Sequence, residues 1–127
     1  MKDTFLLRVG LAVVMFMHSV PSFVSGDVIA FGNEFLANNG FGVFGLPLAI
    51  AVKVTHLFSI YALLVNKYLK PVSILNILIL FVGILMIHGK EGWYVVGGGR
   101  NGIEFNFILI FIFLSFWFPD GIYRRKE

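Results

Sequence analysis

The stretch that decides the fold is Leu46–Val65, which reads LPLAIAVKVTHLFSIYALLV. It is almost entirely apolar and has the length, about 20 residues, that an α-helix needs to cross a bilayer. Pro47 lies in the first turn of this helix, where a missing backbone N–H costs no hydrogen bond. Lys53 and His56 interrupt the apolar run, and their spacing places them on one face of the helix. The stretch therefore predicts a membrane-spanning helix with one polar face.

The composition of the whole chain indicates an integral membrane protein. Of its 127 residues, 58% are hydrophobic and only 13% are charged, and the mean hydropathy is +0.89. A soluble domain typically carries about 25% charged residues. The absence of cysteine excludes disulfides, thiolate metal sites and cysteine nucleophiles. The net charge of +3 is better explained by the placement of basic residues in a membrane protein than by binding to nucleic acid.

Apolar runs on both sides of this helix predict a single integral membrane domain, residues 1–127, with four spans. The spans cover about residues 5–25, 46–65, 71–88 and 103–119. The expected fold class is all-α, a transmembrane four-helix bundle. The first span resembles a secretory signal, but His18 lies inside its apolar run and the chain that follows is itself apolar. We therefore expect the first helix to remain uncleaved.

The segment between the first two spans is too polar to cross a membrane and too aromatic to be a free linker. Its apolar side chains can share one helical stripe around Glu34: Ile29, Phe31, Phe35 and Leu36. This pattern predicts a short interfacial helix in the first outer loop. Asn38-Asn39-Gly40 is a typical stop signal and should end it.

The basic residues predict the orientation. Most of the ten lie at the N-terminus, in the second loop or at the C-terminus: Lys2, Arg8, Lys67, Lys70, Arg124, Arg125 and Lys126. By the positive-inside rule, both termini and the second loop face the cytoplasm, and the first and third loops face outward. In this arrangement the lipid bilayer surrounds the protein.

The third loop, His88–Phe105, reads HGKEGWYVVGGGRNGIEF and holds much of the polar chemistry of the chain. Gly97 and Gly98 belong to a glycine triplet that lacks the spacing of a P-loop or of a dinucleotide-binding motif. We predict a tight, ordered loop that sets Trp93 and Tyr94 at the level of the lipid headgroups. A mere connector between helices is an equally open interpretation for most of these residues.

Polar and charged residues of all four predicted helices lie in the outward half of the membrane when the helical rise is taken into account: His18, Lys53, His56, His88 and Glu104. Charged groups inside a membrane are costly and almost always face protein or water. A shared polar pocket that opens outward satisfies the whole set. The alternative is that Lys53 reaches the headgroups and that each histidine bonds a neighbouring backbone group.

Histidine and glutamate exchange protons near neutral pH and would suit a quinone site. The same side chains also bind metals, but no two of the histidines have the spacing of helical ligands, so no metal site is predicted. Bis-histidine haem ligation meets the same objection. The serines have no recognisable nucleophile context, and no catalytic residue is assigned.

These residues together resemble the DoxX family of small four-helix bacterial membrane proteins. The opening Leu6-Leu7-Arg8 with His18, and Gly45-Leu46-Pro47 at the start of the second helix, are similar to its pattern. The most specific part is the order of His88, Gly92-Trp93-Tyr94, Gly97-Gly98 and Glu104-Phe105. The chain departs from the pattern in the second helix, where His56 stands at the position of the usual glutamate and Ser59 and Ile60 stand where glycines are usual. It also departs after His18, where Ser19 replaces a glycine.

What the resemblance implies is a small membrane subunit that supports redox chemistry. The namesake of the family is associated with a membrane thiosulfate:quinone oxidoreductase, so a quinone and a redox partner subunit are expected. A non-catalytic scaffold or a small-molecule permeation protein is the alternative. Spectra, metal content and quinone content of the purified protein discriminate between these functions.

The orientation can be tested by labelling single cysteines from outside the membrane. Cysteines that replace Asn33 and Gly98 are expected to react with an impermeant reagent, because both loops are predicted to face outward. A cysteine that replaces Lys67 is expected to stay unlabelled until the membrane is broken. Labelling of position 67 in intact cells would reverse the orientation.

Overall fold

A computed structural model describes residues 3–122, and every regular element in that range is helical. The chain divides into two compact units, Met1–Tyr68 and Leu69–Glu127. Several basic residues on which the predicted orientation depends lie outside the described residues: Lys2, Arg124, Arg125 and Lys126.

The first unit contains two long helices, α1 (Phe5–Ser25) and α3 (Gly45–Val65). Between them, the short helix α2 (Asp27–Ala30) runs directly into a π-helical segment, Phe31–Phe41, and a 3₁₀ turn, Gly42–Phe44. The second unit begins with α4 (Leu69–Gly83), which continues as a π-helical turn, Ile84–His88, and a 3₁₀ turn, Gly89–Glu91. A loop then leads to α5 (Glu104–Trp117).

Three helical stretches are long and apolar enough to cross a membrane. They are Phe5–Ser25, Asp27–Val65 and Leu69–Glu91, and the second of these ends with α3. The first and the third agree with the predicted segments 5–25 and 71–88 to within a few residues, and α3, which ends the second, agrees with the predicted segment 46–65. The fourth is shorter than predicted, because α5 has only 14 helical residues and rises about 21 Å, against a hydrocarbon core of about 30 Å.

The distribution of side chains between surface and interior is that of a membrane protein. Large apolar side chains are exposed along every long helix, for example Phe16 on α1, Phe58 on α3, Phe81 on α4 and Phe111 on α5. Buried positions include an unusual share of polar residues: Arg8, Ser19, His56, Ser59, Ser73, Asn76 and Asn106. In lipid, apolar side chains lose nothing by exposure, whereas polar groups must turn inward to find partners.

Two cations join α1 to α3. The guanidinium of Arg8 donates to the carbonyl of Leu63 at 2.6 Å, and the ammonium of Lys53 donates to the carbonyl of His18 at the same distance. Arg8 and His18 are as far apart along α1 as Lys53 and Leu63 are along α3. The two contacts therefore hold the helices antiparallel in one register. Leu63 lies in the last turn of α3, so Arg8 also meets the negative end of the helix dipole.

Several buried positions on α1 and α3 are occupied by small side chains. Ala12 and Ser19 on α1, and Ala49, Ser59 and Ala62 on α3, are all buried. The hydroxyl of Ser19 donates to the carbonyl of Met15 in its own helix, and that of Ser59 to Thr55. Small residues at the interface are typical of helix packing in membranes, where van der Waals contact replaces the hydrophobic driving force.

The first loop contains the predicted helix, but its buried face differs from the predicted stripe. The helical geometry breaks at Asn39 and Gly40, where the stop was expected. Of the predicted stripe only Leu36 is buried, and Ile29 is 55% exposed. The buried positions are Val28, Gly32 and Leu36, because Gly32 brings this face against the beginning of α3.

Gly32 and Gly45 form the tightest contact of the first unit. A Cβ atom on Gly32 would lie 2.5 Å from the Cα of Leu46, and one on Gly45 would collide with the carbonyl oxygen of Gly32. Both obstacles are backbone atoms, which cannot turn aside as a flexible side chain can. The loop helix can rest on the start of α3 only while both positions remain glycine.

Gly32→Ala is therefore expected to lower the melting temperature of the detergent-purified protein by several degrees, the shift that about 1–3 kcal/mol of overpacking produces. Gly10→Ala is the matched control, since a Cβ atom there meets nothing within 4 Å. It should leave the melting temperature unchanged or raise it, because alanine favours helix more than glycine does. Equal effects of the two changes would show that the Gly32–Gly45 contact does not hold the loop.

Candidate functional site

The five residues predicted to share a polar pocket fall in both units of the chain. His18, Lys53 and His56 belong to the first unit, and His88 and Glu104 to the second. Within the first unit the structure brings the three side chains together on α1 and α3. Within the second unit His88 and Glu104 lie at the two ends of the third loop.

The polar cluster of the first unit is built around the backbone of His18. Its carbonyl accepts the hydrogen bond from Lys53. The two imidazole rings meet edge to face, with centroids 6.3 Å apart. Because Lys53 and His56 share one face of α3, both reach the same turn of α1.

Pro21 explains why that turn of α1 offers an acceptor. A proline inside a helix cannot donate to the carbonyl four residues earlier, here that of Met17, and its ring crowds the preceding turn. Backbone groups loosened in this way inside a membrane are satisfied by neighbouring helices. Lys53 donates to the next carbonyl of this turn, that of His18.

His56 is 8% exposed, and its Nδ1 atom has no hydrogen-bond partner. Among residues 3–122 it is the one buried side-chain nitrogen or oxygen in that condition. An unpaired buried polar atom costs about 1–3 kcal/mol, so this nitrogen is a candidate for a hydrogen bond to a ligand. The ring of Phe31 closes one side of the cluster, with its centroid 5.9 Å from the ammonium of Lys53.

Hydrogen bonds order the third loop, as the sequence predicts. The backbone N–H groups of Gly102, Ile103 and Glu104 donate to the carbonyls of Tyr94, Gly92 and Trp93 at 3.0 to 3.1 Å. Glu104 is the first residue of α5, and its carboxylate accepts a hydrogen bond of 2.9 Å from the backbone N–H of Val95. The carboxylate thus ties the loop to the helix that follows it.

Gly102 is essential to this closure, because a Cβ atom at that position would lie 2.5 Å from the carbonyl oxygen of Tyr94. Gly92 and Gly97 adopt positive φ angles, 84° and 83°, at which other residues are strained. The side chains of Trp93 and Tyr94 remain about half exposed, and the ring of Trp93 packs edge to face on Phe107 of α5.

His88 closes the other end of the loop. Its Nδ1 lies 2.7 Å from the carbonyl oxygen of Asn101, and since a carbonyl can only accept, Nδ1 carries the proton. The residue ends a π-helical turn, a rare geometry that is frequent at functional sites. In the neutral ring, Nε2 is then the acceptor.

Sequence reasoning missed three contributors. Arg8 counted as a cytoplasmic charge and as part of the resembling motif, although its contact with Leu63 helps to set the register of α1 and α3. Asn106 attracted no attention, yet it is buried in the second unit and donates to the carbonyl of Leu80, which joins α5 to α4. A polar residue within an apolar run was the available signal in both cases. The π-helical turn at His88 has no signal in the sequence.

Within residues 3–122, no three histidine, aspartate or glutamate side chains lie close enough together to hold a metal ion. No family model, curated protein or solved structure matches the chain. The chemistry of the site must therefore be argued from its own residues.

The link between Pro21 and Lys53 can be tested with a double-mutant cycle. Lys53→Met should reduce the free energy of unfolding more in the parent than in a Pro21→Ala background, by about 1 kcal/mol. The reason is that alanine removes the proline ring that crowds the preceding turn, so the His18 carbonyl in that turn depends less on a partner from α3. Unfolding in mixed micelles of detergent and dodecyl sulfate measures each corner of the cycle.

Lys67→Met is the control, since Lys67 is exposed in the turn after α3. Its effect should simply add to that of Pro21→Ala. If the effects of Lys53→Met and Pro21→Ala on the free energy of unfolding were also strictly additive, the Lys53 contact would not depend on Pro21.

Proposed function

We propose that this chain is a DoxX-like membrane protein that binds a quinone and serves as a small membrane subunit for redox chemistry. It would cross the inner membrane four times as a helical bundle, with both termini in the cytoplasm. The single observation that carries the ligand proposal is the unpartnered, buried Nδ1 of His56 beside the ammonium of Lys53.

The membrane arrangement is supported by the three long apolar helices and by the exposed apolar and buried polar side chains. The short α5 would be the fourth span. A helix shorter than the hydrocarbon core is accommodated by local thinning of the bilayer or by flanking residues that reach the interface, at a modest cost per ångström. The half-exposed Trp93 and Tyr94 of the preceding loop are the residue types that anchor at the headgroup level.

The chemistry of the cluster supports a ligand with a polar head and an apolar body. Lys53 is half-buried and holds one backbone carbonyl, which leaves other N–H bonds of its ammonium for an oxygen of a ligand. His56 provides a ring nitrogen on the same face. Phe31 adds an aromatic surface next to Lys53. A quinone combines carbonyl oxygens, a flat ring and a tail that would stay in the hydrocarbon.

The position of the cluster supports an outward-facing site. By the predicted orientation, the beginning of α3 faces outward, and Lys53 and His56 lie within its first half. A partner on the outer side, such as a subunit that oxidises a small sulfur compound, would then exchange electrons with the bound quinone. In this proposal the chain supplies the site, and the partner supplies the electrons.

The test is a thermal-shift titration of the detergent-purified protein with a short-chain quinone. Binding to the folded state alone stabilises it by about 2.7 kcal/mol at a ligand concentration one hundred times the Kd, which should raise the melting temperature by several degrees. His56→Ala and Lys53→Met should reduce the shift, because each removes a polar group that faces the ligand.

Thr55→Val is the matched control. Thr55 lies between the two residues on α3, and its hydroxyl donates to the carbonyl of Ala51 in its own helix. This variant should keep the full shift. No shift in the parent, or an equal shift in His56→Ala, would remove the quinone and leave a non-catalytic scaffold as the better account.

A further inference from the structure

The ammonium of Lys53 carries a charge that no described carboxylate of its own unit balances. It contacts the carbonyl of His18 at 2.6 Å and the ring of Phe31, whose centroid is 5.9 Å away. Both partners are neutral, so the net charge remains. The described carboxylates of the first unit are all exposed, and none forms an ion pair with this ammonium: Asp3, Asp27 and Glu34.

This charge lies well inside the apolar span of α3. Lys53 is about 12 Å along the helix axis from Gly45, the first residue of α3. Ile50 and Leu57, three residues before it and four after it on the same face, are apolar and exposed. Lys53 itself is half-buried, so its side chain lies at the border between the helix pair and the surrounding lipid. A net charge at such a position is costly unless an opposite charge accompanies it.

From these contacts we infer that the cluster binds the carboxylate of a fatty acid, whose hydrocarbon chain lies along the exposed apolar face of α3. The carboxylate neutralises the ammonium of Lys53, which a neutral ligand cannot do. A hydrogen bond between two charged groups is also about twice as strong as one between neutral groups. Ile50 and Leu57 offer the chain an apolar surface on both sides of the charge.

A carboxyl group also suits the unpaired Nδ1 of His56, which lies one turn from Lys53 on the same face. A carboxylate accepts a hydrogen bond from a ring N–H, and a protonated carboxyl group donates one to a ring lone pair. The match therefore holds whichever ring nitrogen carries the proton.

This inference goes beyond the proposed function, because a fatty acid is not a redox ligand. It depends on the charge of Lys53 and not on the identity of the quinone. The two ligands use the same ammonium and therefore exclude each other. Free fatty acid in the membrane then lowers the share of sites that are open to the quinone.

The experiment compares laurate, methyl laurate and acetate as ligands of the detergent-purified protein, at a pH of about 8.5, where a carboxyl group is ionised. Methyl laurate lacks the charge, and acetate lacks the chain. The readout is the concentration that gives half of the maximal rise in melting temperature at one fixed detergent concentration. Laurate should act at a concentration about ten- to a hundredfold lower than methyl laurate, the worth of a hydrogen bond to a charged group. Acetate should give no rise over the same range.

Two variants of Lys53 separate its charge from its hydrogen bond. Arginine and glutamine can both donate to the carbonyl of His18, but only arginine keeps the charge. Lys53→Arg should therefore retain the preference for laurate over its ester, and Lys53→Gln should lose it. Lys67→Met is the control, since it removes an exposed lysine from the turn after α3 and should retain the preference.

Three results would overturn the inference. They are an equal effect of methyl laurate, an equal effect of acetate, and a preference for laurate that survives in Lys53→Gln. The last would show that laurate acts on the protein surface in general rather than through this charge.

The fatty-acid site and the quinone site can fail separately. A rise with laurate and none with the quinone would support the fatty-acid site and remove the quinone, and a rise with the quinone alone would do the reverse. Where both ligands raise the melting temperature, laurate should increase the half-maximal concentration of the quinone. An unchanged concentration would show that the two ligands do not share Lys53 and would overturn their competition.

Discussion

The first unit depends on two hydrogen bonds between α1 and α3, in each of which a cationic side chain of one helix donates to a backbone carbonyl of the other. Arg8 of α1 donates to the carbonyl of Leu63, and Lys53 of α3 donates to the carbonyl of His18. In a membrane, an unpaired charge and an unsatisfied carbonyl are both expensive, so one contact removes two costs. Both hydrogen bonds can form together in only one register of the two helices, so they hold the helices in that register.

The candidate site lies at one of these contacts, the hydrogen bond from Lys53 to His18. Pro21 removes a backbone donor from α1, Lys53 donates to the carbonyl of His18 in the preceding turn, and His56 follows on the same face of α3 with its Nδ1 atom unpaired. A buried atom without a partner lowers stability. This cost in stability supports a ligand-binding role for the position. Functional sites commonly break a rule of local stability in this way.

The third loop is ordered by backbone hydrogen bonds and by glycines rather than by side-chain packing. Its N–H groups, carbonyls and the carboxylate of Glu104 satisfy one another, and Gly102 leaves room for the chain to cross itself. The sequence predicted an ordered loop from the number of glycines and from Glu104 at the helix start. The bonds themselves could not be foreseen, because each joins residues whose separation depends on how the loop turns.

The sequence by itself determined the class of protein, the three long helices and the break at Asn39 and Gly40, because hydrophobic length and helix stop signals are local properties of the chain. It also selected His18, Lys53 and His56, since polar residues in an apolar run are rare. Only the tertiary structure decided which partners they have. The carbonyl that Lys53 binds, the nitrogen of His56 left unpaired and the close approach of Gly32 to α3 depend on packing between distant segments, which no local pattern records.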